Sequence, residues 1–258
     1  MIIICFLIAI IATTIGASSG IGGGVIIKPV LESFNMFDLK TVTLLSSITI
    51  FSMAVVSLVK QIKMKDPINF KTTVTIALGS TLGGVLGEKL LKFMLSLSSN
   101  SKGVSILQSL ILIFLLAVVY VYINHKDKLK EFKVKSLILI FVVGLILGAL
   151  ASFLGIGGGP INVAIFALLF SMNTKDAARN SIILIFFSQG AKILSIALTT
   201  GFSSYNLKVM PYMIVGGVLG GFLGYKLNKS VSDKFITRLF NIVLIFIILV
   251  NIYNLIWH

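Results

Sequence analysis

Apolar residues fall in long runs along this chain and do not alternate with polar ones. Eight runs cover residues 1–15, 41–59, 73–95, 104–124, 136–154, 181–200, 209–227 and 235–257, with polar connectors between most of them. A hydrocarbon layer about 30 Å thick takes about 20 helical residues, so the runs predict membrane helices and leave no stretch for a separate soluble domain. Two shorter apolar runs, 25–37 and 160–172, follow clusters of glycine. As helices they rise only about 20 Å, too little to cross. Each is predicted to form, with the run before it, a broken hairpin that enters and leaves on one side.

The chain also repeats itself. Gly20-Ile21-Gly22-Gly23-Gly24 recurs as Gly155-Ile156-Gly157-Gly158-Gly159, and Leu82-Gly83-Gly84-Val85-Leu86-Gly87 recurs as Leu219-Gly220-Gly221-Phe222-Leu223-Gly224. The interval between the two landmarks differs by only two residues between copies. Each half reads as a glycine-broken helical hairpin followed by three transmembrane helices. Repeat one covers about residues 1–124, a basic cytoplasmic loop 125–135, and repeat two about 136–258.

A hairpin plus three crossings is an odd net number, so the second half is expected to be inverted. Equivalent loops of inverted halves lie on opposite faces, and lysine-rich loops stay in the cytoplasm. Lys60, Lys63, Lys65 and Lys71 crowd the 60–71 connector, whereas its counterpart 200–208 has only Lys208. The next pair reverses, with Lys102 alone in 96–103 against Lys229, Lys234 and Arg238 in 228–238. The fold expected is an all-α integral membrane protein of two inverted repeats, multi-pass in the plasma membrane, with both termini outside. Lys89 and Lys92, toward the outer face, reduce the contrast.

Composition sharpens this picture. The chain is 57% hydrophobic and 12% charged, above the apolar content of about 45–50% usual in soluble domains. A net charge of +14 would raise nucleic acid as a partner in a soluble protein. Here the lysines sit in connectors, including Lys126, Lys128, Lys130, Lys133 and Lys135, and nucleic acid is not expected. Residues 1–15 lack the basic start of a signal peptide. Cys5 is the lone cysteine, which excludes an intrachain disulfide and a cysteine-based metal site.

The glycine runs carry the candidate chemistry. Gly16-Ala17-Ser18-Ser19-Gly20-Ile21-Gly22, with Tyr122 and Lys126 far along the chain, looks like a short-chain dehydrogenase fingerprint. That fingerprint needs a soluble parallel sheet, and these glycines follow a membrane-length run and recur in the second half. Their other reading is a backbone broken inside the membrane, tolerated where protein or a wet cavity satisfies its polar groups. The segments after the breaks start near Gly24 and Gly159, and Pro160 suits a first helical turn. Two such N-termini meeting near the midplane offer N–H donors and positive dipole ends, which suit an anion. Close helix packing is the alternative for these glycines, and the preferred reading for Gly83, Gly84, Gly87 and their copies.

Polar residues near the breaks form the rest of the expected substrate site. It comprises Gly22, Gly23, Gly24, Gly157, Gly158 and Gly159 with Ser18, Ser19 and Asn162 beside them, and Ser46, Ser47, Asn180 and Ser181 as a next tier. Interhelical bonding or capping is the alternative for these side chains. Ser181, Ser188 and Lys192 share a helical face. Lys192 lies about 12 Å in from a helix end, so it either faces an anion, water or a partner, or snorkels outward. Lys28 follows the first break and has no lysine counterpart in the second half.

A glycine-broken hairpin in each half, a short apolar segment, and then a helix opening with Ser46-Ser47 or Asn180-Ser181 resembles the sulfite exporter TauE/SafE family, also called toluene sulfonate uptake permeases. The likeness covers nearly the whole chain. It implies a secondary transporter of sulfur-containing anions such as sulfite, sulfonates or sulfoacetate.

Acidic residues are scarce, and of the eight only Glu88 lies inside a long apolar run, the one candidate for a proton relay. No metal cluster, catalytic triad, cofactor fingerprint in a valid setting or phosphate-binding G-x-x-x-x-G-K loop is evident, so an enzyme is not expected. The expected function is alternating-access transport of a small anion in the lipid bilayer, with no cofactor. A passive anion channel and a non-transporting subunit are the alternatives.

Overall fold

The computed structural model describes residues 1–63, 70–97, 101–125 and 132–257. The connector positions of Lys65, Asp66, Lys126, Asp127, Lys128, Lys130 and Glu131, and the terminal His258, lie outside the described residues. The described residues form ten helices and no strand: α1 (Ile2–Ser19), α2 (Gly24–Ser33), α3 (Leu39–Lys63), α4 (Phe70–Leu97), α5 (Ser101–His125), α6 (Leu137–Leu154), α7 (Gly159–Phe170), α8 (Thr174–Thr199), α9 (Met210–Ser230) and α10 (Asp233–Trp257).

Local chemistry sets several boundaries. α1 and α6 stop at Gly20 and Gly155, which take left-handed φ values of 75° and 68°. α7 restarts with Pro160 in its first turn, where a missing N–H leaves nothing unpaired. α8 starts on Asn173, whose side chain accepts from the Asp176 N–H at 2.8 Å, and Asp176 faces the positive end of the helix.

Seven helices are long and apolar enough to cross a membrane: α1, α3, α4, α5, α6, α8 and α10. The remaining long run, 209–227, forms α9, which has 21 residues but is not among them. Its five glycines, Pro211 and Lys226 dilute its hydropathy, although length alone gives it about 31 Å. α2 and α7 have 10 and 12 residues.

Burial separates inner from outer helices. In α3, 61% of the span is buried, against 33% in α5 and in α10. α5 exposes Leu110, Phe114, Val118 and Val121, and α10 exposes Ile242, Phe246 and Leu249. Apolar rows of this kind suit contact with lipid chains, where exposure carries no hydrophobic cost.

Each half packs chiefly on the other. α4 lies against α6 and α1 against α9, while α3 meets both α8 and α9. Gly79, Gly83 and Gly87 of α4 face the α6 backbone at Phe141, Leu145 and Ala149 in turn, so the two helices run parallel. Gly220 and Gly224 of α9 face α1 at Thr13 and Thr14 with the same sense. A methyl group at Gly83 would overlap the Leu145 carbonyl, so the second glycine cluster serves close helix approach. α3 and α8 run antiparallel: Gln61 donates to the Arg179 carbonyl at 3.3 Å, and Gly190 meets the Phe51 ring.

Candidate functional site

The two glycine segments touch each other at the centre of the bundle. A methyl group added to Gly24 would stand 2.7 Å from the Ile156 carbonyl oxygen, and one on Gly159 would overlap the Ile21 carbonyl. Gly23 and Gly158 hold φ values of 54° and 71°, conformations that disfavour a side chain. Gly22 and Gly157 both face Ile185 of α8.

Side chains around this contact satisfy backbone groups. Ser181 Oγ donates to the Gly20 carbonyl at 2.8 Å and approaches the Gly159 carbonyl at 3.4 Å, joining the two segments. Ser46 Oγ approaches the Gly24 carbonyl at 3.5 Å. Ser18 and Ser19 both turn back to the Ile15 carbonyl, at 2.8 and 2.7 Å, and Ser47 turns to Thr43 at 2.8 Å. Asn180 Nδ2 donates to the Asp176 carbonyl at 2.9 Å. Ser188 Oγ lies 3.4 Å from the Ile185 carbonyl and 3.4 Å from Gln189 Nε2. Asn162 is buried, and its Oδ1 has no hydrogen-bond partner. A buried acceptor left so costs about 1–3 kcal/mol, which singles out this amide at the second glycine segment.

The last turn of α6 ends inside the bundle, and three of its carbonyls have separate donors. Ala151 accepts from the N–H groups of Gly155 and Ile156, the latter at 3.3 Å. Ser152 accepts from Lys192 Nζ at 2.9 Å, and Phe153 from Gln108 Nε2 at 2.6 Å. In α1, Asn228 Nδ2 donates to the Ser18 carbonyl at 2.6 Å. Lys28 Nζ donates to Gln108 Oε1 at 2.6 Å and lies 3.7 Å from Glu32, so this cation is engaged with its own neighbours.

Lys192 does not snorkel. It is fully buried, bonded to Ser152, and 3.6 Å from Glu88 Oε2. The other carboxylate oxygen of Glu88 lies 3.6 Å from Lys92 Nζ. These three side chains line a cavity of about 180 Å³ with Lys40, Thr43 and Tyr205. Three lysines face one carboxylate there, a balance that attracts anions. Thr43 Oγ1 and Ser152 Oγ are buried without a hydrogen-bond partner. Burial and the Glu88 charge push the Tyr205 phenol above its usual range, so it stays neutral and able to donate.

The structure thus separates what helical spacing grouped. Ser181 belongs to the glycine contact, whereas Lys192 belongs to the cavity, whose walls among the described residues contain none of the glycines. The two levels adjoin at Thr43, which lines the cavity and abuts Gly155. Gln108, Thr43, Lys40 and Tyr205 are not among the residues the sequence pattern points to. A polar Gln108 inside an apolar run was the one available signal; the others lie at helix ends or in a loop. Among the described residues no group of three or more His, Cys, Asp or Glu side chains comes together.

A multi-pass helical chain whose buried polar groups surround a basic cavity has the build of a membrane transporter, and the chain belongs to the sulfite exporter TauE/SafE family, which matches residues 5–251. It is 29% identical to "Probable membrane transporter protein YunE" of Bacillus subtilis, over 95% of each chain. It is also 28% identical to "Probable membrane transporter protein MJ0441" of Methanocaldococcus jannaschii, over 91% of this chain and 87% of that one. No solved structure matches the chain.

Proposed function

We propose that this chain is a secondary transporter of small sulfur-containing anions, such as sulfite, sulfonates or sulfoacetate, working by alternating access. The observation that carries the reading is the cavity in which Lys40, Lys92 and Lys192 converge on one carboxylate, with Lys192 buried at its inner level. Family membership supplies the sulfur chemistry. Substrate would enter by the cavity and pass to the glycine contact, where the N-terminal turns of α2 and α7 meet beside the buried Asn162 amide. Ser18, Ser19, Ser46, Ser47, Asn180, Ser181 and Ser188 then act by holding the broken backbone open rather than by touching the anion, and Lys28 does the same through Gln108.

The two halves are read as inverted repeats, with α9 as an eighth crossing and both glycine-broken hairpins returning to their own side of the membrane. Support comes from the antiparallel α3 and α8, which are equivalent in the repeat, and from the parallel pairs α1 with α9 and α4 with α6, which exchange partners between halves. The cavity lies at the end of the bundle that loop charge assigns to the outside.

Flux in proteoliposomes tests this reading. Accumulation of radiolabelled sulfite or a sulfonate against its gradient, or obligatory exchange, is the expected result. Downhill flux alone would make the chain a channel, and no flux from the purified chain would make it a subunit of something larger.

A further inference from the structure

Glu88 is the acidic residue that lines the basic cavity, and it is 3% exposed. It bridges two cations of different character. Lys92, with 31% of its side chain exposed, stands toward water, while Lys192 is fully buried. Both separations are 3.6 Å, too long for hydrogen bonds, so the carboxylate lies between the cations without being locked to either. Lys192 holds its own bond to Ser152 in the same arrangement. The cavity therefore contains one buried cation, and one resident anion already set against it.

An incoming anion must share Lys192 with that carboxylate. Two negative charges at one buried cation repel, and like charges sharing a site do not both stay ionised. Lys40 is exposed and Lys92 partly so, and water screens both, so they offset this only in part. Discharging Glu88 with a proton removes the conflict and frees Lys192 for the substrate.

We propose, building on the anion-transport reading, that Glu88 is a resident counter-anion which substrate displaces from Lys192, and that it takes up one proton from solution as the anion binds. The carboxylate becomes the neutral acid, Lys192 keeps its charge, and the anion and proton travel as a coupled pair. The charged and titratable groups that face Glu88 are Lys92 on its own helix, Lys192 on α8, Lys40 on α3 and Tyr205 in the loop before α9. α6, which packs along α4, carries no charged residue, and Lys102 and His125 stand exposed at the ends of α5. Reciprocity fixes the sign: if anion binding draws in a proton, lower pH must tighten anion binding.

Methanesulfonate and thiosulfate stay ionised across the neutral range, so their own titration does not intrude. Binding to purified protein is to be measured by calorimetry from pH 5.5 to 8.5, with proton uptake followed by an indicator dye in weak buffer. The expected result is about one proton taken up per anion at neutral pH, an affinity falling up to tenfold per pH unit as pH rises, and loss of both effects in Glu88→Gln. The wild-type proton count tests the proposal even where the variant fails to fold. Binding without proton uptake, or uptake retained by a folded Glu88→Gln, overturns the role of Glu88 and leaves anion transport standing. No binding of either anion at any pH overturns both.

Discussion

Lys192 shows how one side chain can serve the fold and the site together. It closes the Ser152 carbonyl at the end of α6 and balances Glu88, so removing it leaves that carbonyl without its donor and Glu88 with the part-exposed Lys92 alone. Breaking one partner of a buried pair costs about 3–5 kcal/mol, while replacing both by well-packed neutral groups is often close to neutral. Lys192→Met is therefore expected to lower thermal stability in detergent, and Lys192→Met combined with Glu88→Gln to recover much of it. Neither variant should retain anion affinity; a double variant that binds sulfite or a sulfonate as wild type does would remove Lys192 from the site. At Gly159 the constraint is steric. The alanine methyl would overlap the Ile21 carbonyl, and overpacking of this kind costs about 1–3 kcal/mol or more, so Gly159→Ala should reduce the melting temperature and transport together. Wild-type flux in Gly159→Ala would show that the two glycine segments can separate freely.

At the scale of elements, the parallel pairs α4 with α6 and α1 with α9 depend on glycine faces. Gly83 and Gly220 occupy matching places in the repeat, each against the backbone of the other half. Gly83→Leu and Gly220→Leu should each prevent stable packing while leaving membrane insertion intact, because insertion responds to hydropathy and packing to shape. Monodisperse elution of either variant in mild detergent would count against that. This cluster was legible from its spacing alone, since small residues every three or four positions make one smooth helical face. The α9 span was less legible, because the glycines that let it pack closely also dilute the apolar signal by which a span is recognised.

For the whole molecule, the membrane orientation joins the repeat to the transport path. Cysteines placed at Ser204 and Ser171, in a chain with Cys5 replaced by alanine, should label with a membrane-impermeant maleimide from opposite faces of intact cells. Ser204 lines the cavity at the end assigned outside, and Ser171 closes α7 at the other. Labelling of both from one face would remove the inverted arrangement.

Sequence by itself determined that the chain is helical and apolar enough for a membrane, that its glycine runs at Gly20 and Gly155 recur in matching order, and that it resembles an anion-transporter family. Each of these rests on periodicity, length or recurrence, which are properties of neighbours along the chain. Tertiary structure decided the rest: that the two glycine segments meet, that most polar residues beside them satisfy backbone, and that Glu88 stands between Lys92 and Lys192. The residues of that last cluster come from α4 and α8, about 100 positions apart, and no local pattern records a contact made only when one half folds against the other.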